Sequence, residues 1–463
     1  MTRSQGRGRY NGSVIPSRAG HEAGATLRLA GPVIFTQIGQ FAMGLVDTLM
    51  VGPLGAVALA SVSFANGIYY TSVLLFGGVI LALDPIVAQA FGAGTRERCG
   101  EALWSGLWLA IIVSVPLTVA FLHLEPLLGR LGQDPEVVAA TAALLRGRAL
   151  SIPAFLAFAA CRSFLNGIGD VRPVLWITAL ANGLNALVDW VLVYGKLGVP
   201  ALGVAGLGYS SAIVRTAMLV AAAAWIARRR YRPFARGPRF PGPAALGRVL
   251  RLGLPIGGQI GAEVGVFSAV AIFMGWIGPA AQGAHQVALQ LAILTFMVPQ
   301  GIGIAASIRV GQAIGRGDLE AATRAGRVAL LLGTAFMAAC ALVLASFPHA
   351  LAGLFTDDAA VVARAAVLIR IAAAFQVFDG AQAVGAGCLR GAGDTRAPLL
   401  ANLVSHWGLG LPLGYALAFR LGLGAPGLWW GLTTSLATVA VLLVLRFLRL
   451  RMRALSAPPA AAQ

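Results

Sequence analysis

The sequence predicts an all-α integral membrane protein whose twelve transmembrane helices form two pseudo-symmetric six-helix bundles. Of its 463 residues, 58% are hydrophobic and only 11% are charged. The mean hydropathy is +0.80, and together these values exclude an ordinary soluble domain. Apolar runs of about 20 residues, long enough to cross the hydrocarbon core as helices, recur along the chain. Short patches of the first half return in the second half at a constant offset, which predicts the two bundles.

Twelve apolar runs, each bounded by charged residues, glycine or proline, are candidate spans. Helices are favoured because lipid offers no partner for backbone polar groups, and a helix satisfies these groups internally. The spans cover 29–51, 57–82, 102–122, 138–160, 173–195, 203–227, 250–276, 282–305, 326–347, 361–387, 397–419 and 426–448. They divide the chain into a tail (1–26), a first bundle (27–227), a linker (228–247), a second bundle (248–449) and a second tail (450–463). The first tail lacks an apolar core and a cleavage site, which indicates a disordered cytoplasmic tail rather than a signal peptide.

Two repeated patches show the duplication. LRLAGPV at 27–33 returns as LRLGLPI at 250–256, and VAQAFGAG at 87–94 returns as VGQAIGRG at 310–317, both at an offset of 223 residues. Each half contains an even number of spans, so both copies enter the membrane in the same direction. They are then related by an axis along the membrane normal. This arrangement predicts a substrate path between the two bundles.

The basic residues predict the orientation of the chain. Segments on the side of the termini hold 27 of the 35 lysines and arginines, which predicts cytoplasmic termini for a multi-pass protein of a bacterial-type inner membrane. The others lie at outer helix ends, Arg148 among them, except that Arg215 lies within a span. Since the arginines do not form a continuous basic face, the lipid bilayer rather than nucleic acid is the expected partner.

Four acids lie well inside the spans, with Asn185 one turn before Asp189. An ionised side chain in a spanning helix costs about 2.5–3.5 kcal/mol, so it normally faces a protein interior or a water-filled cavity. Asp47 and Asp189 lie 18 and 16 residues from the inner ends of their helices, whereas Glu263 and Asp379 lie 13 and 8 residues from theirs. The acids therefore form two pairs at different depths. Either they bind H⁺ or Na⁺ reversibly, or they form fixed hydrogen-bonded contacts between helices.

Other polar positions favour structural roles. Asp84 precedes a proline at the inner end of the second span, which predicts an interfacial turn. The Gly-Asp pairs at 169–170 and 393–394 predict turns whose ion pairs latch the inner gate. His285 can titrate, but beside Gln282 and Gln286 it also suits a hydrogen-bonded structural role.

No enzyme motif stands out. The sequence contains no HExxH motif, no Walker loop and no Ser/His/Asp set in a suggestive context, so we expect neither catalytic residues nor a cofactor. The four cysteines lack CxxC spacing, and neither a disulfide framework nor a zinc site follows. Without an ATPase motif, transport would be driven by an ion gradient.

Five motifs resemble the multidrug and toxic compound extrusion (MATE) family, in its NorM-like branch. They are QIGQFAMGLVDTLMVG (37–52), PIVAQAFGAG (85–94), GAHQVA (283–288), CLRGAGDTRAP (388–398) and SHWGLGLPLGY (405–415). The resemblance runs from about residue 27 to 448. It implies a V-shaped pair of six-helix bundles that exports organic cations or other amphipathic drugs in exchange for H⁺ or Na⁺ by alternating access. We expect a monomer.

The resemblance also implies the site residues. The coupling residues it indicates are Asp47, Asn185, Asp189, Glu263 and Asp379, with a possible Na⁺ site at Asp47, Asn185 and Asp189. The family's tyrosine one turn before the helix-10 acid is a phenylalanine here, at position 375, which weakens a Na⁺ site in the second bundle and favours proton coupling. Candidates for lining the substrate cavity are Gln40, Gln282, His285, Gln286 and Phe375.

The alternative hypothesis is a flippase for lipids or lipid-linked precursors built on a related two-bundle scaffold. Such a protein would favour a basic cavity for phosphate headgroups, whereas the charges inside the spans are predominantly acidic. A channel is disfavoured because the acids form no symmetric ring.

Overall fold

The computed structural model describes residues 18–132 and 134–456, and this part of the chain contains helices and no strand. Ten helices are long and apolar enough to cross a membrane, and a pair bent by 48° provides an eleventh span. The twelfth span is Arg396–Arg420. It is helical throughout, and two of its stretches have the wider π-helical form. The predicted fold class, twelve helices in two bundles, is therefore confirmed.

We number the spanning helices α1 to α12. The N-lobe consists of α1 (Arg18–Val51), α2 (Ala56–Ile80 and Leu83–Gly92), α3 (Arg96–Leu122), α4 (Pro135–Ala149 and Ile152–Gly167), α5 (Arg172–Tyr194) and α6 (Val204–Ile226). The C-lobe consists of α7 (Pro243–Ile277), α8 (Pro279–Gly315), α9 (Leu319–Ser346), α10 (Ala359–Gly391), α11 (Arg396–Asn402, Leu403–Gly410, Leu411–Tyr415 and Ala416–Arg420) and α12 (Ala425–Ser456). Short helices at Gly52–Leu54, Glu125–Leu128, Gly129–Leu131, Arg232–Ala235 and Pro348–Gly353 connect them.

Helix α1 begins earlier than the sequence predicts. Residues 18–26, expected to be part of a disordered tail, form its first turns, and the rest of that tail lies outside the described residues. The Glu22 carboxylate pairs with Arg309 on α8, and Arg309 also donates to the Glu22 carbonyl at 3.0 Å. The buried Thr26 accepts a further bond from Arg309 at 3.3 Å. Contact with the C-lobe therefore extends the helix beyond its apolar run.

Two symmetric helix pairs join the lobes. Helix α1 packs on α8, and α7 packs on α2, so the first helix of each lobe crosses onto the other lobe. The Cβ of an alanine at Gly78 on α2 would lie 2.6 Å from the Gly257 Cα on α7, so the backbones approach closely. Close approach at small residues is typical of helix packing in membranes.

The duplicated motif forms the contact between the lobes on the side where α1 begins and α12 ends, which we call the termini side. Gln89 donates to the Gly391 carbonyl at 2.9 Å, and Gln312 donates to the Gly167 carbonyl at 2.9 Å. Gln89 and Gln312 are repeat equivalents, so the two bonds are related by the pseudo-symmetry. We call this pair of bonds, with its flanking glycines, the glutamine latch.

The aspartates of the two Gly-Asp turns do not form ion pairs between the lobes, contrary to the sequence prediction. Asp170 accepts a bond from the Tyr231 hydroxyl at 2.6 Å, and Asp394 pairs with Arg446 of α12 at 2.6 Å. Burial and the bond to Asp170 raise the pKa of the Tyr231 phenol, which therefore stays protonated and donating. Each aspartate thus stabilises its own half of the chain.

Candidate coupling sites in the two lobes

Asp47, Asn185 and Asp189 lie together inside the N-lobe. The Asn185 amide nitrogen donates to Asp47 Oδ1 at 3.0 Å and to Asp189 Oδ2 at 2.6 Å. Asn185 and Asp189 share a face of α5 because they are one turn apart. All three side chains are buried, with Asp189 fully inaccessible. The structure therefore brings together the three residues that the sequence placed at matching depth.

A fourth residue, Arg148 on α4, completes this N-lobe cluster. Its Nη2 donates to Asp47 Oδ2 at 2.9 Å, and its Nη1 donates to the Asn66 side-chain oxygen. The guanidinium also lies over the Tyr69 ring, 5.4 Å from the ring centroid. Only 2% of Arg148 is exposed. The cluster is thus a buried, hydrogen-bonded ion pair rather than a set of acids alone.

The sequence prediction that assigned Arg148 to an outer helix end is wrong. Counting arginines as flanking charges ignores that a buried guanidinium is tolerated when it is paired and hydrogen-bonded. One signal was available, since Arg148 lies ten residues inside the apolar run 138–160. A charge at that depth is by default a functional hypothesis.

A bend in α4 follows Arg148 directly. The helix turns by 48° between Ala149 and Ile152. Ser151 lies in the bend, donates to the Arg148 carbonyl at 2.6 Å and lies 3.0 Å from the Tyr69 hydroxyl. Pro153, which lacks a backbone donor, lies at the start of the second segment and contributes to the bend. The bend and its bonds hold the base of the Arg148 side chain in one place.

The C-lobe acids lie in a different environment. Glu263 Oε2 on α7 accepts from Gln382 on α10 at 3.3 Å and from Asn402 on α11 at 3.5 Å, both long contacts. Asp379 is 6% exposed and lies one turn before Gln382. Among the described residues, neither Glu263 nor Asp379 forms a salt bridge. These two carboxylates therefore lack the tethered cation that the N-lobe cluster has.

A π-helical stretch positions the α11 side of this site. Leu403–Gly410 directly follows Asn402, and Pro412 follows the stretch. Pro412 cannot donate a backbone bond and would crowd the preceding turn of a regular helix, which a wider turn relieves. Next to Glu263, the Trp407 ring nitrogen donates to the Ala262 carbonyl at 3.0 Å and fixes α11 on α7.

The five predicted substrate-cavity residues are not brought together. His285 is fully buried and accepts from the Trp429 ring nitrogen at 3.2 Å, and Phe375 packs on the same tryptophan at 5.6 Å between ring centroids. Both belong to the C-lobe core. Gln40 lies on α1, 3.5 Å from Arg162, and Gln282 is partly buried on α8, whereas Gln286 is exposed.

A small cavity of about 20 Å³ lies where the lobes meet, and Asp84 contributes to its wall. Helices α1, α2, α4, α5 and α8 line it, with Gln37, Arg162 and Asn166 among its polar residues. Its volume suits one or two water molecules. Asp84 is only 6% exposed and begins the second segment of α2. The predicted turn is present at Leu81 and Ala82, just before Asp84, but the carboxylate is buried where the lobes meet and is not interfacial.

Within residues 18–132 and 134–456, no group of three or more His, Cys, Asp or Glu side chains could hold a metal ion. The four cysteines are free thiols.

Comparisons with known proteins agree with this architecture. The MatE family model matches residues 32–191 and 255–416, one segment in each lobe. The chain is 40% identical over 454 residues to "Probable multidrug resistance protein NorM" of Mesorhizobium japonicum, with 95% of this chain and 96% of the relative covered. It is 41% identical over 446 residues to "Multidrug resistance protein NorM" of Burkholderia vietnamiensis, with 94% and 96% covered.

Solved structures share the fold. A crystal structure of MATE in the straight conformation aligns with a TM-score of 0.86 at 21% identity, over 94% of this chain and 97% of the other. The eukaryotic MATE transporter AtDTX14 aligns with a TM-score of 0.84 at 21% identity, over 92% and 96%. The predicted resemblance is therefore confirmed. The chain belongs to the MATE family of membrane transporters.

Proposed function

We propose that this protein is a secondary active multidrug efflux antiporter that exports organic cations and other amphipathic drugs in exchange for H⁺ or Na⁺. The relatives named as NorM multidrug resistance proteins support the class of substrate. The exchange mechanism is proposed from one observation on the C-lobe acids. Neither Glu263 nor Asp379 forms a salt bridge with another described residue.

Charge neutralisation links the two ligands. A buried carboxylate is stable only when a proton or another cation compensates its charge. A proton, Na⁺ and an organic cation can each compensate this charge. They compete because they neutralise the same carboxylates. Binding of the coupling ion therefore favours release of the drug. This competition is the chemical basis of antiport at Glu263 and Asp379.

Alternating access requires the termini side to open. In the structure the glutamine latch closes this side through Gln89 and Gln312. Rocking of one lobe against the other about the α1–α8 and α2–α7 contacts would break both bonds together. We place the termini side in the cytoplasm of a bacterial-type inner membrane, because most basic residues lie there. We propose that the protein acts as a monomer.

The proposal is tested by transport in proteoliposomes. Efflux of a fluorescent organic cation is measured under an imposed pH gradient and, separately, an imposed Na⁺ gradient. We expect one gradient to drive efflux, and Glu263→Gln and Asp379→Asn each to reduce it to background. Glu320→Gln, which neutralises an exposed acid, is the matched control and should retain efflux. Undiminished gradient-driven efflux in both folded acid variants would contradict the proposal.

A flippase for lipids or lipid-linked precursors is the second candidate. The observation that favours it is Arg162, which lines the cavity between the lobes. One structural neighbour, a MOP superfamily transporter from Pyrococcus furiosus with a TM-score of 0.85, is described as having reversed binding-pocket polarity and a different function. Translocation of a labelled anionic lipid, lost in Arg162→Gln but unaffected in Glu263→Gln, would support the flippase.

A further inference from the structure

The N-lobe acid cluster already contains a cation of its own. We propose that Arg148 is a tethered counter-cation that fills the site formed by Asp47, Asn185 and Asp189, so that this site excludes Na⁺. The inference rests on the proposed antiport function and narrows where the coupling ion binds. It departs from the Na⁺ site that the family resemblance implies for these three residues.

The orientation of the polar groups in the N-lobe cluster disfavours Na⁺. Na⁺ needs several oxygen ligands that point at one position. Asp47 directs Oδ2 at the Arg148 guanidinium, 2.9 Å away, and Oδ1 at the Asn185 amide nitrogen, 3.0 Å away. The same nitrogen donates to Asp189 at 2.6 Å. The centre of the cluster is therefore lined by donor hydrogens. Three of the four carboxylate oxygens are engaged, and Asp189 Oδ1 alone has no partner among the described residues, which is fewer than the several oxygens that Na⁺ requires.

The positive charges of nearby arginines also disfavour Na⁺ in this cluster. The Arg148 guanidinium contacts Asp47 directly and is 2% exposed, so solvent screens it little. A Na⁺ ion bound between Asp47 and Asp189 would lie beside this guanidinium and be repelled by it at low dielectric. Arg215 adds a second guanidinium in the N-lobe, 4.2 Å from the Phe155 ring centroid and 5.7 Å from that of Tyr69. Two guanidinium groups thus accompany the two carboxylates in this part of the N-lobe.

Several contacts anchor the Arg148 side chain, as a tethered counter-cation requires. Arg148 donates to Asn66 of α2, lies over Tyr69 of the same helix, and has its carbonyl bonded by Ser151 in the α4 bend. A planar guanidinium held by several directional bonds loses little further freedom in this position. Arg148 is therefore part of the N-lobe fold and not a mobile counter-ion.

The remaining acceptor in the cluster suits a proton. Asp189 Oδ1 is buried and has no hydrogen-bond partner among the described residues. A proton needs one oxygen, whereas Na⁺ needs several. Exchange of Na⁺, if the transporter uses it, is thereby left to the C-lobe acids.

The decisive experiment measures binding of radioactive Na⁺ to the purified full-length protein. The Glu263→Gln/Asp379→Asn double variant removes binding at the C-lobe acids and serves as the background. In this background we expect no saturable binding that depends on Asp47. Adding Arg148→Gln should create saturable binding, and adding Asp47→Asn to that variant should abolish it. Arg148→Lys, which retains a cation, should not create binding.

The matched control is Arg146→Gln on the same helix. Arg146 pairs with Glu125 at an exposed position and should not change Na⁺ binding. Saturable Na⁺ binding that Asp47→Asn abolishes in the background protein would overturn the proposal, and this comparison remains available if Arg148→Gln does not fold. A folded Arg148→Gln variant without added binding would also overturn it. Failure of the antiport proposal is distinguishable, because it appears as absent gradient-driven efflux in the otherwise unsubstituted protein.

Discussion

Single residues compensate buried charge differently in the two lobes. In the N-lobe, Arg148 neutralises Asp47 through a direct ion pair with almost no solvent exposure. In the C-lobe, Glu263 has amide donors at 3.3 and 3.5 Å, which orient a carboxylate but do not neutralise it. The N-lobe charge is therefore satisfied by the fold, whereas no described residue forms an ion pair with the C-lobe acids.

The ion pair in the N-lobe predicts a strongly non-additive pair of substitutions. Arg148→Met should lower the free energy of unfolding by about 3–5 kcal/mol, because it leaves the Asp47 carboxylate buried and unpaired. Adding Asp47→Asn should recover part of this loss, since the uncompensated charge disappears. Unfolding in detergent measures both variants. Arg146→Met is the exposed control and should change stability by no more than about 1 kcal/mol. Additive effects of the two buried substitutions would contradict the prediction.

The buried histidine predicts a role for Trp429 in stability. Trp429→Phe removes the donor to His285 Nδ1, and the other ring nitrogen, Nε2, has no partner among the described residues. An imidazole without partners in a core costs about 1–3 kcal/mol. We expect a thermal unfolding transition at a lower temperature for this variant. Trp430→Phe changes the neighbouring exposed tryptophan and should have little effect. Equal shifts in the two variants would argue against the hydrogen bond.

Two helices differ from the regular helices that the apolar runs predict. The α1 helix continues back to Arg18 because Glu22 and Thr26 bind Arg309 of the C-lobe. Helix α11 widens into a π-helical stretch before Pro412. In both cases the departure brings a polar side chain to another helix, Glu22 to α8 and Asn402 to α7.

The first turns of α1 should therefore depend on the ion pairs that Glu22 forms with Arg309 and, at 3.8 Å, with Arg324. Glu22→Ala removes the carboxylate that pairs with Arg309, and we expect faster amide hydrogen exchange at the start of α1, measured by mass spectrometry. Glu125→Ala is the matched control, because that glutamate is 46% exposed and pairs with Arg146 of α4. Its effect should be small, since exposed pairs contribute little. Unchanged exchange in α1 after Glu22→Ala would show that these ion pairs do not hold the helix.

The whole molecule is held closed on the termini side by backbone contact at glycines. A Cβ at Gly92 would lie 2.1 Å from the Gln312 carbonyl oxygen, and one at Gly315 would lie 2.1 Å from the Gln89 carbonyl oxygen. These glycines are repeat equivalents, so the duplicated motif packs against its own copy. The closed contact is therefore symmetric, because each copy of the motif makes the same contacts to the other copy.

Added side-chain volume at this contact should separate the lobes. Gly315→Ala and Gly92→Ala are each expected to shift the population toward opening on the termini side, because the close backbone contacts cannot accommodate a methyl group. Spin labels at Lys196→Cys and Arg364→Cys, in exposed positions on the opposite side, report the change as a shorter distance. Gly67→Ala, which meets no atom within 4 Å, is the control. An unchanged distance distribution in both test variants would refute the assignment.

The sequence by itself determined the twelve helices, their two-fold repeat and the depth of the four acids. Hydropathy and spacing are sufficient for these, because lipid imposes helix length and internal hydrogen bonding on every span. Matching depth paired Asp47 with Asp189, the one-turn spacing added Asn185, and the family resemblance implied that the three form one site. Only the tertiary structure decided which groups meet these acids. Arg148 lies 101 residues from Asp47 along the chain, and the pair forms because α4 and α1 both pack against α2, which brings the guanidinium to the carboxylate. A buried charge selects its partner by position in space, and spacing along one helix cannot specify it.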